Sequence, residues 1–159
     1  TATITYTLSR SPSPTPEEST AYTKITSAIE AAIARHARVH DLTKALRVNY
    51  RPGVPTAEAS YNGDVNFGSN TGFMTERTAL HEIAHTLGVG QTQYFDQLCA
   101  AGTWPKALAL LKEWDGADAR ISCGGGHFWP YGLNYDTEWS ETNADRHVRI
   151  LGAMIEDGL

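Results

Sequence analysis

Leu80-His81-Glu82-Ile83-Ala84-His85-Thr86-Leu87-Gly88 is the stretch on which the reading of this chain turns. His81 and His85 stand four residues apart, about one turn of an α-helix, so both imidazoles reach one point beside it. Two such nitrogens can bind one zinc ion at about 2.0–2.1 Å each. Glu82 is rotated around the helix and lies next to that point without binding it. This is where a general base must stand to take a proton from an activated water. The apolar residues Leu80, Ile83, Ala84 and Leu87 take the opposite face, which predicts an amphipathic helix from about Thr75. Gly88 suits the left-handed position that stops it.

Upstream, Thr3–Leu8 alternates like a strand. Thr15-Pro16-Glu17-Glu18 has a capping threonine, a proline at the first helical position and a glutamate that can complete a capping box. Ile25, Ile29, Ala32, Ile33 and Ala37 then predict one apolar stripe on a long helix running to about Leu42. Three short strands are expected at Leu46–Tyr50, Ala57–Tyr61 and Asp64–Gly68. Arg51-Pro52-Gly53 and Asn62-Gly63 mark turns, and Asn-Gly between strand-like runs signals a hairpin. Downstream, helices are expected at Tyr94–Ala101, Pro105–Trp114 and Ser140–Ile155, with Ala144, Val148, Leu151 and Ile155 facing inward. Ile121–Cys123 reads as extended, and Gly124-Gly125-Gly126 opens a long loop through Tyr135.

The order of a long helix, hairpin strands and a His-Glu-x-x-His helix resembles the zincin metallopeptidases over roughly residues 1–91. Within them, His81-Glu82-x-x-His85-x-x-Gly88 resembles the metzincin branch, a likeness of motif confined to 81–88. The resemblance implies a zinc endopeptidase with His81 and His85 as ligands and Glu82 as base. It also implies an exposed strand that binds substrate as an added strand. Asp64–Gly68 resembles that strand in position, and reads equally well as an ordinary hairpin arm.

The metzincin third-ligand position is occupied by Gln91, whose neutral amide is a weak donor to zinc. No methionine turn is evident: Met74 precedes the helix and Met154 reads as core. A catalytic zinc usually takes three protein ligands. His127 is the first candidate, because three glycines before it allow close approach and Phe128, Trp129 and Pro130 stiffen the chain after it. Glu141 is second; with Asp145 it resembles the thermolysin-like branch in spacing, and equally suits a helix start. Glu138, Asp96 and Gln91 complete the candidates. Tyr131 and Tyr135 can offer a hydroxyl to a developing oxyanion, or be ordinary loop aromatics. His36 and His40 repeat the four-residue spacing with no acid between them, on a helix expected to lie at the surface. His147 reads as a surface or supporting residue.

The expectation is therefore one α+β domain over 1–159. A twisted, short-stranded sheet packs against the long helix and the active-site helix, and an irregular C-terminal half ends in a helix. The cofactor is Zn2+ and the substrate a protein or peptide. The alternatives are a zinc hydrolase acting on a carbohydrate or amide polymer, for which Trp129 and the nearby tyrosines speak, and an inactive zinc-bearing binding module, against which Glu82 speaks.

The 159 residues suffice for one core. Charged residues make up 19% and the net charge is −5, with Lys and Arg scattered, so neither disorder nor a nucleic-acid partner is expected. No apolar run approaches the roughly 18 residues that span a bilayer, and a monomer is expected. The composition and a start directly on TATITYTLS suggest a secreted chain with a processed N-terminus. Cys99 and Cys123 are either a disulfide or two buried thiols.

Overall fold

The computed structural model describes residues 3–159; Thr1 and Ala2, the start of the strand-like opening, lie outside them. Strand β1 (Thr3–Leu8) leads to helix α1 (Pro16–Ala37) and strand β2 (Thr43–Tyr50). Thr15 caps α1 with a full capping box: its hydroxyl accepts from the Glu18 amide, and Glu18 accepts from the Thr15 amide. The helix ends at Ala37, short of Leu42. Its inward face begins with Tyr22, Ile25, Ala28, Ile29 and Ala32, then turns polar at the buried Arg35 and His36. Ala37, expected in the stripe, is exposed.

Strands β3 (Ala57–Ala59) and β4 (Asp64–Phe67) form the antiparallel hairpin expected at Asn62-Gly63. The sheet order is β1-β2-β4-β3, with β1, β2 and β4 parallel. Asp64–Gly68 is thus not an edge. Its Val65 and Phe67 are fully buried, so β4 gains most from two neighbours. The edge passes to β3, whose Ala-Glu-Ala has little apolar surface to cover. The sheet's other face is polar, with Arg47 on Asp64 and Asn49 and Glu58 on Asn66.

A short 3-10 turn (Thr71–Phe73) precedes helix α2 (Glu76–Thr86), capped by Thr75. Helices α3 (Gln93–Ala101) and α4 (Pro105–Asp115) come next, then strands β5 (Ser122–Gly124) and β6 (His127–Trp129), a second 3-10 turn (Asp136–Glu138) and helix α5 (Glu141–Glu156). The first part of the segment expected as a loop, Gly124 to Trp129, belongs to a hairpin, while residues 130–135 are irregular as expected. Gly125 and Gly126 have φ of 58° and 79°, the left-handed pair that a tight two-residue turn requires. Cys99 on α3 is bonded to Cys123 on β5, which removes the buried-thiol alternative. Apolar residues of both halves form one continuous core. On α5, Ile155 is only half buried, and Ile150 and Met154 take the inward positions beside Ala144, Val148 and Leu151.

The buried Arg35 ties three helices together. Its guanidinium donates to Glu76 of α2 and to Glu141 and Asp145 of α5, at 2.5, 2.7 and 2.6 Å. Among the described residues, no helix is long and apolar enough to cross a membrane.

Candidate metal centre

On α2 the polar residues Arg77, Thr78, His81, Glu82 and His85 recur at helical spacing and line a cleft of about 600 Å³. Ala79, Leu80, Ile83 and Ala84 bury the other side. The Nε2 atoms of His81 and His85 lie 3.3 Å apart. His127, first residue of β6, completes the group: one ligand nitrogen from each of the three lies within 4.8 Å of the others. The His81 and His127 rings stack with centroids 4.9 Å apart.

The His85 tautomer suits a cation. A carbonyl can only accept, so the His85 Nδ1–H donates to Val89 O at 2.7 Å. That leaves Nε2 with a free lone pair towards the other two rings. Burial, then the mutual repulsion of His85, His127 and His147, holds the His81 pKa down at about 3; the Gly132 backbone opposes this. Burial also lowers His85 and His127. Three neutral imidazoles converging on one point are compatible with a bound metal ion, whereas three imidazolium ions would repel.

Glu82 is 5% exposed. Among the described residues no hydrogen-bond donor is found for its carboxylate. Burial pushes its pKa up to about 7, with Glu58 adding and Arg77 opposing. A carboxyl group in a cleft, beside three converging histidines and without a hydrogen-bonding partner among the described residues, is equipped to exchange protons.

Glu138, Glu141 and Asp96 are not part of the histidine group, while Gln91 lines the same cleft. The Gln91 Oε1 accepts weakly from the Tyr61 amide at 3.4 Å. Glu141 and Asp145 are taken up by Arg35. Asp96 is exposed on α3. Glu138 accepts from the Tyr135 amide; of the carboxylates it is the one whose charge opposes the shift at His127. Tyr135 is 65% exposed at the cleft. Tyr131 does not face it, because its hydroxyl is engaged by Asp115 and Arg146 at 2.9 and 2.8 Å. A larger hollow of about 730 Å³ near the end of α1 includes His40, Arg38 and Arg149. His36 and His40 bond to each other at 2.9 Å and belong to no such ligand group.

Two residues support the site: Arg77, which the sequence reading does not single out, and His147, for which the supporting alternative holds. Arg77 is buried on the cleft-facing side of α2; it donates to Asp136, the Leu133 carbonyl and Thr78. The four-residue step from Arg77 to His81 is the signal that could have found it. His147 is fully buried, not at the surface, because α5 turns it inward beside Val148. Its Nδ1–H donates to the Tyr131 carbonyl at 2.7 Å and its ring stacks on Phe128. Together Arg77 and His147 pin Tyr131–Leu133, where two non-glycine residues have positive φ of 69° and 54°.

Burial holds His147 at about 4, against an ordinary 6.5. The unfolded chain therefore takes up this proton near pH 6.5 and the folded one only near 4. Acidification through that window favours unfolding, by up to about 3 kcal/mol. Denaturant titrations of metal-free protein at about pH 7 and about pH 4.5 should show the loss. It should shrink in His147→Gln; an equal loss in both proteins would assign the effect to other groups.

Comparison with family models, curated proteins and solved structures returns no match. The functional reading rests on the site's own chemistry.

Proposed function

We propose that the chain is a zinc-dependent endopeptidase of zincin type. The observation that carries this reading is the arrival of His127 beside His81 and His85, with the unpaired Glu82 on the same cleft wall. Three neutral imidazoles suit zinc by donor type and number and leave a fourth position open. Zinc held there supplies Lewis-acid polarisation of a water molecule and of the scissile carbonyl.

The protein's own groups do the rest. A Glu82 carboxylate oxygen takes the proton of the attacking water and passes it to the departing amine nitrogen. The Val89 carbonyl fixes the His85 ring. Tyr135, at the rim, is the tyrosine in position to meet the substrate.

The strand β3 supports a peptide over a polysaccharide. Its register pairs Glu58 with Asn66, and Ser60 N and Thr56 O bond to β4 and to Gly68 just past its end. In an antiparallel ladder this leaves the backbone groups of Ala57 and Ala59 pointing away from β4. Both residues line the cleft, so an extended peptide can add there as a further strand. The disulfide fits an exported protein.

Metal analysis and a substrate panel test the reading. The purified protein should hold about one zinc per chain and cleave unfolded proteins in a chelator-sensitive way. Absence of any transition metal, or cleavage of polysaccharides alone, would overturn it.

A further inference from the structure

The segment after the second histidine and the turn before the third meet at two glycines, Gly90 and Gly126. After α2 the chain turns through Gly88, Val89 and Gly90. Val89 supplies the carbonyl that orients His85. Gly90 lies directly against Gly126, the residue before His127. A Cβ built on Gly90 would stand 2.3 Å from the Gly126 oxygen, 2.6 Å from its Cα and 2.8 Å from its carbonyl carbon. All three are backbone atoms of a tight turn and cannot rotate aside. The requirement is one-sided: a Cβ on Gly126 would meet its nearest atom, the Gly90 Cα, at an ordinary 3.5 Å.

We propose that Gly90 is a positioning residue for the metal centre: its missing side chain lets the β5–β6 hairpin seat against the segment following α2, which sets His127 at the distance His81 and His85 require. Any side chain at 90 lifts the hairpin and withdraws the third nitrogen, leaving the His81–His85 pair on α2 intact. This rests on the reading of the three histidines as metal ligands, and it assigns to Gly90 a task distinct from the turn made at Gly88.

Gly90 also has a left-handed φ of +70°, so Gly90→Ala adds backbone strain as well as the clash. Gly102 separates the two: its φ is +66° and a Cβ there meets nothing within 4 Å. Zinc affinity is measured by chelator competition on wild type, Gly90→Ala and Gly102→Ala, with the visible spectrum of the cobalt-loaded proteins as a second readout. Gly90→Ala should bind about ten- to hundredfold more weakly and show a changed cobalt spectrum, while Gly102→Ala matches wild type. Because Gly90 acts through His127, the double variant Gly90→Ala/His127→Ala should bind no more weakly than His127→Ala alone.

Wild-type affinity in Gly90→Ala would overturn the proposal while leaving the metal reading intact. So would additive losses in the double variant, or a Gly90→Ala protein that is unfolded with and without metal, since Gly90 would then serve the fold as a whole. Failure of the wild type to bind zinc would remove the metal reading and this proposal together.

Discussion

Glu82→Gln is expected to retain zinc and the fold while losing about 10²–10⁴-fold in turnover. Glutamine preserves the shape of the side chain but cannot take a proton from water. The native carboxyl group has no hydrogen-bonding partner among the described residues, so the amide leaves no structural bond broken. That separates this substitution from one that merely damages the cleft. Steady-state cleavage of a peptide substrate, with metal content measured on the same sample, is the check. Turnover comparable to wild type in zinc-loaded Glu82→Gln would mean that Glu82 is not the base.

The second large effect is expected at His127. His127→Ala should weaken zinc by more than about a hundredfold, beyond what losing a supporting group usually costs. Two histidines from one helical turn remain, too few for a tight site. Glu141→Gln and Gln91→Ala should leave the affinity near wild type, since Glu141 is bonded to Arg35 and Gln91 reaches only the Tyr61 amide. Chelator competition on the three variants decides the matter. Loss of zinc in Glu141→Gln with retention in His127→Ala would reassign the third position to α5.

Much of this architecture is legible from local chemistry. The Thr15–Glu18 box, the Asn62-Gly63 turn and the split polar and apolar faces of α2 each depend on neighbours within a few residues. The helix starts and the hairpin turn can therefore be placed from sequence alone. Local reading fails where distant parts of the chain decide. β4 looks like an edge when only its hairpin partner β3 is considered; its pairing with β2 makes it interior. His36 and His147 look like surface residues until α1 and α5 turn them into the protein. Gly124-Gly125-Gly126 reads as slack because glycine permits many conformations, and only the strands on either side show that two of the three form a tight turn. Spacing places His81 and His85 together, whereas the meeting of His127 with them is a tertiary event. The role of Gly90 is invisible for the same reason: a glycine's use there lies in what touches it.

On the proposed metal reading, the Cys99–Cys123 bridge bears on how long an ion would stay bound. The β5–β6 hairpin is short, three residues in each strand, and local openings of such an element cost less than global unfolding. With Cys123 bonded to α3 and Phe128 buried in the core, an opening of the turn leaves His127 held from both sides. The imidazole remains on a short leash, and its return is an intramolecular event governed by an effective concentration on the order of millimolar. Recapture then competes with escape of the ion from the remaining pair. Were an ion held by the three histidines as proposed, the bridge would act on its off-rate without contributing an atom to its coordination.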